Sequence, residues 1–235
     1  KKLKTYVSSV LLKLLYPLFV SPGIMEIKIC GLSGPDSIRQ IALLRPSMMG
    51  FIFYAPSPRN ACALLPSVVN ALPADISRVG VFVDAPVDHI LHTASRYGLD
   101  TIQLHGKETP DTCRELRRAG LRVMKAIGVN KDIAWTDVSP YEGTVDMLVL
   151  DTLTANHGGS GRKFDWSLLN SYPLSTPFLL SGGIGPDDAE AVVKAISALP
   201  LMAGVDINSR FETMPGSKNP QLAASFINRL NDSNL

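Results

Sequence analysis

The chain is poor in the side chains that metal-binding and disulfide-bonded proteins depend on. It has three cysteines, Cys30, Cys62 and Cys113, an odd number and widely spaced. No CxxC pair occurs, so neither a disulfide framework nor a zinc site is indicated. A reducing, cytoplasmic setting is the simplest. The four histidines, His89, His92, His105 and His157, form no H-E-x-x-H pattern. His89 and His92, three apart on an expected surface helix, read as solvated. No metal is expected. Charge is nearly balanced at +2 over 235 residues, which gives no field for nucleic acid. The apolar run from Val7 to Val20 is too short to span a bilayer and is broken by Ser8, Ser9 and Lys13. Missing too is a G-x-G-x-x-G turn after the first strand, where the chain reads Cys30-Gly31-Leu32-Ser33-Gly34. An open, doubly wound sheet would normally carry one.

What the chain does have is apolar mass. Apolar residues make up 46%, enough for the full core of one large α/β domain. Residues 1–24 look foreign to the rest. Lys1, Lys2 and Lys4 precede the apolar run, as in a signal peptide, but no small-x-small cleavage site follows. Three readings compete: translated sequence upstream of a start at Met25, a signal or membrane-surface anchor, and an extra packed helix. The first is preferred, giving an N-terminal extension over 1–24 and a catalytic domain over 25–235, with no membrane partner.

From Met25 onward strands and helices alternate. Strands are expected at 24–30, 48–54, 78–83, 101–104, 121–127, 145–150, 178–180 and 203–207. Met48 to Tyr54 is an unbroken apolar run, as suits burial on both faces. Helices are expected at 37–44, 60–71, from Pro86, from the Thr109-Pro110-Asp111 cap, at 187–199 and at 221–230. One weak helix lies within 130–141. Phe164-Asp165-Trp166 opens another, with Asp165 as its cap. Eight strands, each followed by a helical segment, is the count of a single-domain α/β (β/α)8 TIM barrel.

Chemistry in such a barrel sits at the carboxyl ends of the strands. The polar residues there are Cys30, Arg59, Asp84, His105, Asp151, Ser181 and Asp206. Asp151 ends the sixth strand beneath a glycine-rich loop, 158–161, an arrangement that presents an acid to a ligand. Gly182-Gly183 follows the seventh strand and Asp206-Ile207-Asn208-Ser209 the eighth, where barrels bind phosphate through backbone N–H groups. A phosphorylated small substrate follows. Cys30 reads either as a small core residue or as a general base at a strand tip, paired with Asp151 as general acid. Useful pKa shifts would be downward for Cys30, from neighbouring cations, and upward for Asp151, from burial. Lys28 shares the face of Cys30, but spacing does not decide whether it assists the thiol.

A family resemblance rests on further residues in order: Lys28-Ile29-Cys30-Gly31-Leu32; Gly50 to Tyr54 with Ser57-Pro58-Arg59; Val81 to Asp84; Gln103-Leu104-His105-Gly106; Leu150-Asp151-Thr152 with Gly158 to Trp166; Ser181 to Ile184; and Gly204 to Ser209 with Glu212 and Pro215-Gly216. Seven motifs in this order and spacing resemble phosphoribosylanthranilate isomerase of tryptophan biosynthesis. The resemblance implies a (β/α)8 barrel and an Amadori rearrangement of an aminoaldose phosphate. It implies Cys30 as base, Asp151 as acid and Arg59 as anchor of the anthranilate carboxylate. Substrate contacts are expected at His105, Gly158, Gly159, Gly182, Gly183, Asp206, Asn208 and Ser209. No cofactor is implied, and the only partner is a phosphosugar substrate, in a monomer or homodimer. Ser160, Arg162 and Arg210 depart from the commoner pattern, Arg210 replacing a frequent glycine near the phosphate turn.

Overall fold

Eight parallel strands close into a barrel in the computed structural model, which describes residues 25–153 and 163–232. The elements run β1 (Glu26–Ile29), α1 (Pro35–Ala42), β2 (Met48–Ile52), α2 (Pro66–Asn70), β3 (Ser77–Phe82), α3 (Val87–Tyr97), β4 (Thr101–Leu104), α4 (Pro110–Arg118), β5 (Arg122–Val129), α5 (Trp135–Val138) and β6 (Met147–Thr152). After the undescribed 154–162 come a 3-10 turn (Trp166–Ser171), β7 (Phe178–Leu180), α6 (Ala189–Ala198), β8 (Met202–Ile207), a hairpin of β9 (Glu212–Met214) and β10 (Ser217–Lys218), and α7 (Pro220–Asp232). Each barrel strand pairs with the next, and β8 pairs with β1, with Lys28 opposite Asp206. At that seam Gly204 has no room for a side chain, because a Cβ there would collide with the Glu26 backbone.

Strand alternation sorts the side chains into two layers. Cys30, Met48, Val79, Val81, Met124, Ala126, Met147, Val149 and Leu179 fill the inside of the barrel. Ile29, Phe51, Phe82, Leu104, Leu150 and Leu180 belong to the larger cluster shared with the helices. Both faces of the strands are therefore covered, which is why they read as apolar runs rather than as alternating ones. Proline opens α1, α2 and α4, where its missing N–H has no intrahelical partner to lose. Thr109 caps α4 by accepting from Thr112 N, and Gly98 ends α3 in the left-handed conformation. Asp165 caps its turn by accepting from Ser167 N, as expected.

Two helical expectations need correction. The helix expected over 60–71 shrinks to Pro66–Asn70. Leu65 precedes a proline and is driven to extended backbone, φ −69° and ψ 132°, so no helix can run through it. The segment opened by Asp165 is a 3-10 turn of six residues rather than an α-helix. No helix among the described residues is long and apolar enough to cross a membrane.

Candidate active site

β1 delivers Lys28 and Cys30 to the inside of the barrel. Lys28 is fully buried, and its Nζ lies 2.8 Å from Asp206 Oδ2 across the β1–β8 seam. A buried ammonium requires such a partner, because desolvation otherwise drives off its charge. Burial works against the charge here too, but Asp206 and Cys30 outweigh it and hold the Lys28 pKa above its ordinary value. The charge of Lys28 also acts on the Cys30 thiol, lowering its pKa against the effect of burial. Cys30 is 5% exposed, and its Sγ occupies the space a side chain at Gly50 would need.

The expected direction of the Cys30 shift is overturned. Burial pushes the thiol up, and the cations Lys28 and Lys218 offset this only in part, while the Asp206 charge adds to it. A thiolate loses more on leaving water than the two amines return.

Asp151 is the penultimate residue of β6 and its side chain is 14% exposed. Oδ1 accepts from the Thr152 amide at 2.7 Å, and Oδ2 lies 3.8 Å from His105 Nε2. Burial raises its pKa to about 6, opposed by the Thr152 N–H and by Lys28 and reinforced by Asp206. The upward shift is the one expected. His105 Nδ1 in turn stands 3.3 Å from Gln103 Nε2. Two buried acceptors, Gln103 Oε1 and Asp206 Oδ1, have no hydrogen-bond partner among the described residues. Each can accept a hydrogen bond from a hydroxyl group.

Gly182 and Gly183 follow β7 with φ of +85° and +67°, a conformation in which side chains are strained. A Cβ on Gly182 would stand 2.6 Å from Thr152 N and 2.9 Å from Asp151 Oδ1, so this turn packs directly on the acid. On the neighbouring β8, Asn208 leads into a 3-10 turn that starts at Ser209. Two adjacent strand tips thus end in turns, at the place where barrels receive an anion through backbone N–H groups. Arg210 is exposed, and its guanidinium lies over Gly185.

Arg59, in the loop after β2, is held by Glu212. Nε lies 2.9 and 3.1 Å from the two carboxylate oxygens, and Nη2 lies 2.8 Å from Oε2. Glu212 Oε1 also accepts from Lys218 Nζ at 2.6 Å and from Gly216 N at 3.1 Å. Lys218 Nζ donates further to Asn208 Oδ1 at 2.6 Å. Burial alone would raise the Glu212 pKa, but Arg59 and Lys218 hold it below the usual range. Neither Glu212 nor Lys218 has a role that the sequence alone assigns. The signal was the Pro215-Gly216 turn, with Gly216 at φ +86°, which folds Lys218 back beside Glu212.

The mouth therefore joins Cys30, Arg59, Asp206 and Asn208 on the β1–β2–β8 side with Asp151, His105 and Gly182 on the β4–β6–β7 side. Lys28 and Asp206 act electrostatically on both Cys30 and Asp151. Gly158 and Gly159 lie outside the described residues. Asp84 serves a structural turn: it adopts φ +50° and accepts from Lys107 N at 2.6 Å. Beside it Glu108 Oε1 accepts from the Asp84 amide, and Glu108 pairs with buried Lys125 at 3.1 Å.

Comparison with known proteins gives the geometry its relatives. Residues 27–229 match the family model of N-(5′-phosphoribosyl)anthranilate isomerase. The N-(5′-phosphoribosyl)anthranilate isomerase of Parabacteroides distasonis is 40% identical over 208 residues, covering 88% of this chain and 93% of that protein. The crystal structure of phosphoribosyl anthranilate isomerase from Thermotoga maritima superposes with a TM-score of 0.79 at 32% identity, covering 89% of this chain and all of that one. A further solved phosphoribosyl anthranilate isomerase, in complex with reduced 1-(o-carboxyphenylamino)-1-deoxyribulose 5-phosphate, aligns at 29% identity and a TM-score of 0.76, covering 89% and 100% of the two chains. With a matching family model over most of its length and a relative at 40% identity, this chain belongs to the N-(5′-phosphoribosyl)anthranilate isomerase family.

Proposed function

We propose that the mouth of the barrel carries out the Amadori rearrangement of N-(5′-phosphoribosyl)anthranilate to 1-(2-carboxyphenylamino)-1-deoxyribulose 5-phosphate, with Asp151 as general acid and Cys30 as general base. The rearrangement is the activity of the family to which the chain belongs. One observation carries the assignment of roles. Asp151 is a carboxyl raised to about 6 by burial, in a mouth that also holds a thiol under the charge of a buried lysine. A carboxyl with an ordinary pKa would keep almost no proton to give near neutrality.

The reaction needs two proton transfers. Asp151 protonates the furanose ring oxygen, and the C1–O bond breaks to leave an iminium. Cys30 then takes the proton from C2, and the C2–H electron pair forms the enolamine. Protonation at C1, with loss of the proton from the C2 hydroxyl, gives the ketone. Lys28 steadies the thiolate while it exists. The turns at Gly182-Gly183 and Asn208-Ser209 take the phosphate, and Arg59 takes the anthranilate carboxylate through two parallel hydrogen bonds. These remote contacts set the reacting carbons against acid and base. His105, next to Asp151, and the glycines of 158–159 complete the substrate contacts. The substrate is a small phosphosugar handled in the cytoplasm by a monomer or homodimer.

The test is the fluorescence of phosphoribosylanthranilate mixed with the purified chain. The expected result is loss of that fluorescence at a rate proportional to enzyme, without release of anthranilate. A rate no greater than spontaneous decay would dismiss the assignment.

A further inference from the structure

Glu212 takes part in no step above, yet Arg59 Nε, Arg59 Nη2, Lys218 Nζ and Gly216 N all converge on it. Its side chain is 6% exposed and that of Lys218 is fully buried, so both charges have left water and each depends on its partners. The pairing with Arg59 uses one edge of the guanidinium, Nε and Nη2. Nη1 makes no hydrogen bond among the described residues, so the edge formed by Nη1 and Nη2 stays open to a second carboxylate. The same side chain packs over the residue next to the base. A Cβ on Gly31 would stand 2.8 Å from Arg59 Cδ and 2.6 Å from Asn208 Oδ1. Lys218 bridges Asn208 and Glu212. The parts expected to hold the two ends of the substrate, the Arg59 guanidinium and the Asn208 turn, are thus joined by two buried side chains.

We propose that Glu212 and Lys218 are positioning residues for substrate recognition: Glu212 fixes Arg59 by one edge so that the other receives the aromatic carboxylate, and Lys218 ties this arrangement to the phosphate turn. The proposal rests on Arg59 as the carboxylate anchor assigned above. An arginine free to move would have to be ordered at each binding event; here folding has already ordered it. A carboxylate presented to the prepared edge meets a guanidinium whose distance from Cys30 is set. The rival account is a structural brace between the β2 loop and the β9–β10 hairpin, which would affect stability without distinguishing one part of the substrate from another.

A double-mutant cycle with a carboxylate-free probe separates the two. KM and kcat for phosphoribosylanthranilate, and inhibition by ribose 5-phosphate, are measured in wild type, Arg59→Ala, Glu212→Gln and the double variant. Glu212→Gln is expected to raise KM roughly tenfold to a hundredfold, the range of one charge-assisted hydrogen bond. Ribose 5-phosphate inhibition should stay within about twofold, and in the Arg59→Ala background the same substitution should add less than about twofold. Lys218→Met, which releases Asn208 as well, should weaken ribose 5-phosphate inhibition; unchanged inhibition there overturns the tie to the phosphate turn. Full additivity of the Arg59 and Glu212 effects overturns the positioning role while leaving the anchor in place. An unchanged KM in Arg59→Ala removes the anchor and the proposal with it. If Glu212→Gln does not fold, Glu212→Asp keeps the charge for Lys218 but shortens the reach to Arg59, and the same cycle decides.

Discussion

Replacing Asp151 by asparagine should stabilise the protein while abolishing its activity, and the size of the gain follows from burial. The carboxyl titrates at about 6 in the fold against an ordinary 3.8, about two units higher. Each unit is worth about 1.36 kcal/mol, so ionised Asp151 weakens the fold by about 3 kcal/mol. The sign runs with protonation. Folding favours the protonated form, so no penalty exists below pH 3.8; it grows as pH rises and is complete above pH 6. The side chain is only 14% exposed, so solvent screening takes little from this figure. Asparagine keeps the shape, can still accept from the Thr152 amide and never ionises. Urea denaturation at pH 8 should therefore show Asp151→Asn more stable than wild type by up to about 3 kcal/mol, with the gain vanishing near pH 4. In the same samples kcat/KM should collapse, because an amide has no acidic proton for the ring oxygen. Equal stability of the two proteins at pH 8 would show that Asp151 bears no buried charge. Near-normal turnover in the variant would show that it is not the acid.

Two further outcomes are expected. Cys30→Ser should lose most activity. In wild type, iodoacetamide should inactivate through Cys30 only as pH climbs past the ordinary thiol value of 9.0, since burial raises this thiol; inactivation that saturates near pH 6–7 would mean that the lysines outweigh burial. Removing residues 1–24 should leave a folded, active protein, because the family match starts at residue 27; a collapsed circular dichroism signal would show that the extension packs on the barrel.

The pKa order also bears on the rate profile. The productive state holds a proton on Asp151 and none on Cys30, yet Asp151 is much the stronger acid of the two. The productive state is therefore a small fraction of the singly protonated enzyme. The bell of kcat/KM against pH keeps its shape: its acid limb lies near Asp151 and its alkaline limb above pH 9.

The barrel was legible because parallel strands covered on both faces leave apolar runs such as Met48–Ile52, and because prolines mark helix starts. Cys30 and Asp151 were legible as reactive residues at strand tips. The helix expected over 60–71 is cut short because Pro66 bars helix at Leu65. The direction of the thiol's shift is not legible in the sequence because it depends on how deeply folding buries Cys30. Lys218 was missed because its partners are set by folding: it meets Glu212 through a hairpin, and Glu212 meets Arg59 across 153 positions of chain.

The seam between the first and last strands has a consequence for how the protein is made. Lys28 and its partner Asp206 are separated by 178 positions, and Arg59 waits for Glu212. During synthesis the residues assigned as base and carboxylate anchor leave the ribosome early, while the groups that neutralise the buried lysine and hold the arginine arrive among the last. Until β8 docks, β1 is an unpaired edge that carries a lysine with no counter-ion. A nascent chain halted at β7 would contain both residues assigned to proton transfer and still lack a site, so the chemistry can begin only when the barrel has closed.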